Sequence, residues 1–277
     1  MRISNATALV TGAGRGLGHH FARELLARGA KVYATAREPG SLTLEGVHPL
    51  ALDVTDPDSV SAAADAAADV DLLVNNAGLF LGSTLLGDLD AVRAEMEVNF
   101  WGALSVVRAF APVLASNGGG AILNVASIAS WSVVPGNSGY AVSKAANWNM
   151  SNALRHELAG QRTLVTSLHF TAIDTDMLRG HDIPKGDPFD VVRAALDGVE
   201  AGEFEVVADS PTERRRPRWG RIPDRSTWSS RRSSPRATGE RHPPQRIQRR
   251  RVDFVMNAGS SPRSAPSRRS DAAPSSP

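Results

Sequence analysis

Seven short apolar runs are spaced along the first 210 residues, at 6–11, 31–35, 48–53, 71–74, 120–127, 164–169 and 204–208, and stretches of helical periodicity separate them. Runs this short and this continuously apolar suit strands buried on both faces. Strands alternating with helices imply an α/β fold: a single doubly wound parallel sheet of about seven strands, with helices on both faces. In such sheets ligands sit beyond the C-terminal ends of the strands. Gly12, Arg37, Asp53, Asn75 and Ser127 all stand at such ends, so one edge of the sheet gathers the residues with chemistry to offer.

Charge divides the chain near Ser210. Residues 1–210 carry 14 Lys and Arg against 24 Asp and Glu, a net of −10, whereas residues 211–277 carry 17 Arg, no Lys and 5 acids, a net of +12. The basic character belongs to the second piece, so the high overall pI is no argument for nucleic-acid binding by the whole protein, and no nucleic-acid partner is expected. No cysteine is present, which excludes disulfides and thiolate or sulfur-metal chemistry, and no metal site is expected. No stretch approaches 18 consecutive apolar residues and the first strand begins near Asn5, so the expectation is a cytoplasmic protein with no membrane contact.

The first strand runs into Gly12-Ala13-Gly14-Arg15-Gly16-Leu17-Gly18, after which Phe21, Leu25 and Leu26 keep helical spacing. A strand, a glycine turn and a helix N-terminus make a seat for phosphate, because glycines admit close backbone approach and the helix presents free N–H groups. The second strand closes on Ala36-Arg37. An acid near this point would take ribose hydroxyls, whereas an arginine suits a 2′-phosphate. Arg37, with Arg15 as a second cation, therefore points to NADP(H) rather than NAD(H). Asp53 is placed to accept from an adenine amino group, and Asn75-Asn76 to brace a strand end beside the cofactor. Asn99 stands inside a long helical stretch from 88 to 114, where asparagine is a weak helix former and needs a reason: a backbone contact or a held water.

Tyr140 and Lys144 stand four apart at the start of another helix, reaching to about 158, so the phenol and the ammonium share one face. A free tyrosine ionises near pH ~10. A neighbouring cation lowers that value, and a tyrosine tuned this way exchanges a proton with an alcohol or carbonyl oxygen. Ser127, thirteen residues upstream, offers a hydroxyl to the same oxygen.

Thr11-Gly12-(x3)-Gly16-Leu17-Gly18, Asn75-Asn76-Ala77-Gly78, Asn99, Ser127 and Tyr140-(x3)-Lys144 occur in this order over residues 4–209. Together they resemble the short-chain dehydrogenase/reductase family. The resemblance implies a Rossmann-type domain over 1–210 and a tetrad of Asn99, Ser127, Tyr140 and Lys144. In it Tyr140 is the general acid or base, Lys144 lowers its pKa and holds the nicotinamide ribose, Ser127 polarises the substrate oxygen, and Asn99 holds a water that links Lys144 to solvent. It further implies NADP(H) contacts from Ala77 and Gly78, with Ile173 and Thr175 at the carboxamide, and a homodimer or homotetramer. One departure stands out: after His169 at the end of the sixth strand, Phe170-Thr171 stands in place of the family's Pro-Gly, which puts the local backbone shape in question.

Phe80, Leu81, Trp131, Val133, Val134 and Pro135 are candidate pocket residues, with a short lid over 174–188. Their apolar character suits a small to medium, largely apolar carbonyl or secondary alcohol. A catalytically impaired nucleotide-binding sensor on the same fold is the alternative. Residues 211–277 hold 17 Arg, 12 Ser and 10 Pro, too little apolar surface to offset chain entropy, and are expected to be disordered. An out-of-frame reading of a GC-rich gene accounts for that text best, with a natural tail and a nucleic-acid arm as the other accounts.

Overall fold

The computed structural model describes residues 1–180 and 182–217. Seven strands, β1 (Thr7–Val10), β2 (Lys31–Ala36), β3 (His48–Ala51), β4 (Leu72–Asn75), β5 (Gly120–Val125), β6 (Thr163–His169) and β7 (Glu205–Val207), lie parallel in the order β3-β2-β1-β4-β5-β6-β7. The direction of winding switches between β1 and β4, so a crevice opens beyond Val10 and Asn75. Seven helices accompany them: α1 (Gly16–Ala27), α2 (Pro57–Ala66), α3 (Leu89–Met96), α4 (Ala103–Ser116), α5 (Ser138–Glu157), α6 (Pro188–Ala201) and α7 (Ser210–Arg215).

Strand side chains alternate between two cores. Ala8, Val10, Leu72, Val74, Ala121 and Leu123 face α1 and α6, meeting Phe21, Leu25, Val192 and Leu196. Leu9, Leu73, Ile122 and Val165 face the other way, toward Val60 of α2, Val106 and Phe110 of α4, and Leu154 of α5. The central strands are thus covered on both faces, as their unbroken apolar runs require.

Helix starts follow local chemistry. Asp56, Asp88, Asp187 and Asp209 each accept backbone N–H groups at the start of α2, α3, α6 and α7, with Pro57, Pro188 and Pro211 in the first turn of three of them. The stretch expected as one helix over 88–114 is helical from Leu89 to Ser116, but a π-helical segment, Glu97–Gly102, separates α3 from α4. This 28-residue helix is long and apolar enough to cross a membrane on length and composition alone; here Val106, Phe110 and Leu114 are spent on the second core.

Among the described residues, ordered helix continues past the expected boundary at 210. Residues 210–215 form α7, Thr212 is fully buried, and Arg216 pairs with Glu205 at 2.8 Å. The reason is electrostatic: the Glu205 side chain is 2% exposed, and a carboxylate that deep requires a partner. The remainder of the expected tail, 218–277, lies outside the described residues.

Candidate active site

The glycine turn lies beyond β1 and is braced by side chains from β4's end. Gly12 and Gly16 have φ of 66° and 54°, a region that disfavours any side chain. A Cβ on Gly18 would overlap the Gly12 carbonyl oxygen and lie 2.6 Å from Asn76 Nδ2. The turn can pack this tightly only without that carbon. Asn76 Nδ2 donates to Thr11 O at 2.8 Å, and Thr11 Oγ1 accepts from the N–H groups of Asn76 and Ala77 at 2.9 and 2.8 Å. Thr11 and Asn76, rather than Asn75, therefore hold the turn to the sheet.

The reading of Asn75 as a cofactor contact needs correction for its side chain. It is buried, and its amide donates inward to Ala103 O and Asn124 Oδ1. Leu17 packs into the first core, while Arg15 and Arg37 are exposed at the rim. Asp53 lies beyond β3. Two hydrogen bonds from Thr55, its N–H and its hydroxyl at 2.9 and 2.7 Å, hold the carboxyl below its usual value, and the Arg37 charge adds to that. Arg37 and Asp53 thus share one corner of the crevice. Thr175 reaches the same rim, its Cβ 3.6 Å from where a Gly16 Cβ would stand. Ile173 is buried in the first core and bridges to Gly186.

The second half of the site is assembled at the start of α5. The Ser127 side chain, whose Oγ accepts from Ala129 N–H at 3.1 Å, lies close enough to the Tyr140 phenol to pull its pKa down, and Phe80 meets the Tyr140 ring edge-on at 5.1 Å. Lys144 Nζ is buried and donates to Val125 O at 2.8 Å, 5.7 Å from the Tyr140 ring centre. Burial lowers the Lys144 pKa to about 8. Gly78 is tucked between Asn99 and Lys144, where a Cβ would lie 3.2 Å from Asn99 Oδ1 and 3.7 Å from Lys144 Nζ.

Burial pushes Tyr140 well above its usual value, the Ser127 hydrogen bond pulls it back, and the Glu95 charge pushes it up again. Lys144 Nζ keeps its Val125 hydrogen bond while facing the Tyr140 ring. Asn99 lies in the π segment. Its side chain accepts from Leu79 N–H and donates to Leu79 O and Ser143 Oγ, all within 2.9 Å, and its carbonyl accepts from Asn147 Nδ2 at 3.0 Å. The backbone contact is thus the reason for a mid-helix asparagine, and a helix opened by one residue is a frequent mark of a working site.

His169, the residue before the Phe170-Thr171 pair that stands in place of the family's Pro-Gly, is fully buried behind Ser127. Its Nδ1 lies 3.2 Å from Ser127 O, which can only accept, so Nδ1 carries the proton and Nε2 accepts from the Ser167 hydroxyl at 3.1 Å. Burial lowers its pKa to about 3, consistent with a neutral ring that has no acceptor for a second proton. Thr171 N–H and Oγ1 both donate to Asp209, which fixes the backbone that the Pro-Gly pair would otherwise shape. Trp131 stacks on His169 at 3.9 Å. One of its faces therefore belongs to this buried support, while Leu81, Val133 and Val134 are exposed around the opening.

Residues 6–184 match the family model described as short chain dehydrogenase. The chain belongs to the short-chain dehydrogenase family. It is 36% identical over 209 residues to D-erythrulose reductase of Gallus gallus, covering 73% of this chain and 83% of that one. It is 33% identical over 214 residues to 1-deoxy-11-beta-hydroxypentalenate dehydrogenase of Streptomyces exfoliatus, covering 71% and 78%. A solved short chain dehydrogenase from Burkholderia cenocepacia J2315, in complex with NADP, superposes with a TM-score of 0.75 at 40% identity, covering 85% of this chain and all of that one.

Sequence reasoning singled out the tetrad but not its supports. Thr11 was visible only as part of a motif, and Glu95, Ser143 and Asn147 gave no signal beyond helical spacing to Asn99 and Lys144. The i, i+4 relation of Glu95 to Asn99 was the available clue.

Proposed function

We propose that this short-chain dehydrogenase uses NADP(H) to interconvert a small to medium, largely apolar carbonyl compound and its secondary alcohol. The observation that carries the reading is the meeting of Ser127, Tyr140 and Lys144 beside a glycine turn that has no room for a Cβ at Gly18. The cradle fits a dinucleotide. Backbone N–H groups at the start of α1 would take its phosphates, Arg37 and Arg15 a 2′-phosphate, Asp53 the adenine amino group, and Ile173 and Thr175 the carboxamide. Complex formation with NADP in the 40% identical neighbour supports the same preference.

When bound, the nicotinamide supplies or accepts the hydride. The chain's own residues place the substrate and manage the proton. Ser127 Oγ orients the substrate oxygen and polarises it. In reduction the Tyr140 hydroxyl donates its proton to that oxygen, and in oxidation it takes the proton back. A phenol held protonated by burial is already in the form that reduction needs. Lys144, with a pKa near 8, is largely charged at neutral pH; it holds the ribose and supplies positive charge as the phenol's proton leaves. The exposed Leu81, Val133 and Val134 at the opening favour an apolar substrate body.

The test is a fluorescence titration of the purified full chain with NADPH and with NADH, followed by a panel of ketones and aldehydes. Tighter NADPH binding with turnover of apolar carbonyls is expected. Nucleotide binding with no turnover across the panel would favour the sensor instead, and equal binding of the two cofactors would remove the role given to Arg37.

A further inference from the structure

Glu95 is a fully buried carboxylate that the chemistry above does not use. It projects from α3 one turn before Asn99. Its Oε1 accepts from Leu81 N–H at 2.7 Å, and its Oε2 from the Ser83 hydroxyl at 2.5 Å. Two donors on two oxygens suit the ionised form. Without Glu95 the buried Ser83 hydroxyl would lose its acceptor, and so would Leu81 N–H. Asn99 takes both backbone groups of Leu79 in the same loop. The loop is closed against α5 as well, because Gly139 N–H donates to Ser83 O at 3.1 Å and Leu85 N–H to Ser138 Oγ.

The position of Glu95 at α5 is equally specific. That helix has no side-chain cap and no acid in its first turn. A Cβ on Gly139 would overlap Ser83 Oγ and lie 2.9 Å from Glu95 Oε2, so glycine there lets the carboxylate approach the helix start, where negative charge is favourable. The next residue is Tyr140, and the clamped loop carries Phe80 against its ring.

We propose that Glu95 is a positioning residue of the Tyr140 centre: it clamps the 79–83 loop to the start of α5 and fixes Phe80 against the Tyr140 ring as one wall of the pocket. This rests on the function proposed above for Tyr140. The charged groups around the pair are few. Lys144 on α5 faces Tyr140, and His169 behind Ser127 is held neutral. Asp88, Asp90, Arg93 and Glu97 of the same helical stretch are exposed. The Glu95 charge raises the phenol's pKa, in accord with the geometry.

The experiment compares the full wild-type chain with E95Q, E95A and S83A. Hydrogen exchange of the 79–85 backbone reads the clamp. Tyrosinate absorbance, on a Y33F background because the chain has two tyrosines, reads Tyr140 alone. E95A is expected to speed exchange of the loop by about tenfold or more, about 1.4 kcal/mol or more, and S83A by less. E95Q keeps an acceptor for Leu81 N–H, so its exchange stays near wild type while Tyr140 titrates at a lower pH. With a carbonyl that the wild type reduces, E95A raises KM more than it lowers kcat, and E95Q largely restores KM. Exchange unchanged in both E95A and S83A, or a KM unmoved in E95A, overturns the proposal. Should E95A not fold, E95Q and S83A decide it. A wild-type chain that turns over no carbonyl would defeat the proposed function, while exchange would still judge Glu95.

Discussion

The two halves of the site are built on opposite physical principles. The dinucleotide half, from the glycine turn to Arg37 and Asp53, is exposed and made largely of backbone held by Thr11 and Asn76. The reacting half, from Ser127 to Lys144, is a set of ionisable groups taken out of water and propped by buried neighbours. Charges in the first are screened and contribute modestly one at a time. Charges in the second are costly to keep, so they weaken the fold to the degree that they serve the chemistry. Binding and stability should therefore respond to different residues.

The largest effect should come from Y140F, which removes the proton donor but not the cradle. Turnover is expected to fall by about 10³-fold, roughly 4 kcal/mol in the barrier, with NADPH affinity held within a factor of two by titration. Loss of both together would break the division between the halves.

Next comes His169. Its pKa is about 3 in the fold against 6.5 unfolded, so between those values the unfolded chain binds the extra proton and stability drops as pH falls. Chemical denaturation from pH 7 to pH 4 should show an acid loss on the order of 3 kcal/mol, and H169Q should flatten that limb. An equally steep limb in H169Q would place the acid sensitivity elsewhere.

Lys144 has the opposite window. With a folded pKa about 8 against 10.5, its burial penalty is fully present below pH 8 and is relieved as pH climbs toward 10.5. K144M should lose turnover yet be more stable than wild type at pH 7, by on the order of 2 kcal/mol, with the gap closing as pH rises toward 10.5. Thermal melts across that range test it, and a less stable K144M would show that the Val125 hydrogen bond outweighs desolvation.

The smallest effect belongs to the exposed half. R37A should weaken NADPH by about tenfold, near 1.4 kcal/mol, leave NADH nearly unchanged, and lose its effect as salt is raised. A salt-independent loss would mean that Arg37 is less solvated than its place at the rim suggests.

Much of this architecture was legible in the sequence, for a physical reason. Strands buried on both faces leave unbroken apolar runs, and where each run stops at Gly12, Asn75 or Ser127 the chain has reached the sheet edge where ligands bind. Ser127's placement follows from that, whereas Asn99, Tyr140 and Lys144 lie on helical segments and were singled out through the family resemblance. What stayed hidden was the direction of side chains. Asn75 and Asn76 look alike in sequence, yet strand alternation sends one into the core and leaves the other to hold the turn. Glu95 sits between Arg93 and Glu97 and reads as another solvated acid, because only the folded loop supplies the donors that bury it. The π segment could not be read either: it depends on Asn99 finding Leu79, a contact made across a loop. His169 passed for a local oddity because its partners, Ser127 O, Ser167 and Trp131, come from other places in the chain.

The ion pair at the end of β7 sets a limit on how far the chain can be shortened. Glu205 accepts from Trp148 Nε1 at 2.7 Å on one oxygen and from Arg216 at 2.8 Å on the other. Trp148 in turn packs edge-on against Trp131 and His169, the rings behind Ser127. A protein trimmed after Asp209 would keep every strand and every member of the tetrad, yet it would strand a buried negative charge, a defect of roughly 3–5 kcal/mol, three side chains away from the reacting serine. Trimming after Pro217 leaves that charge matched, so the useful scissors mark lies inside the arginine-rich text and not at its start.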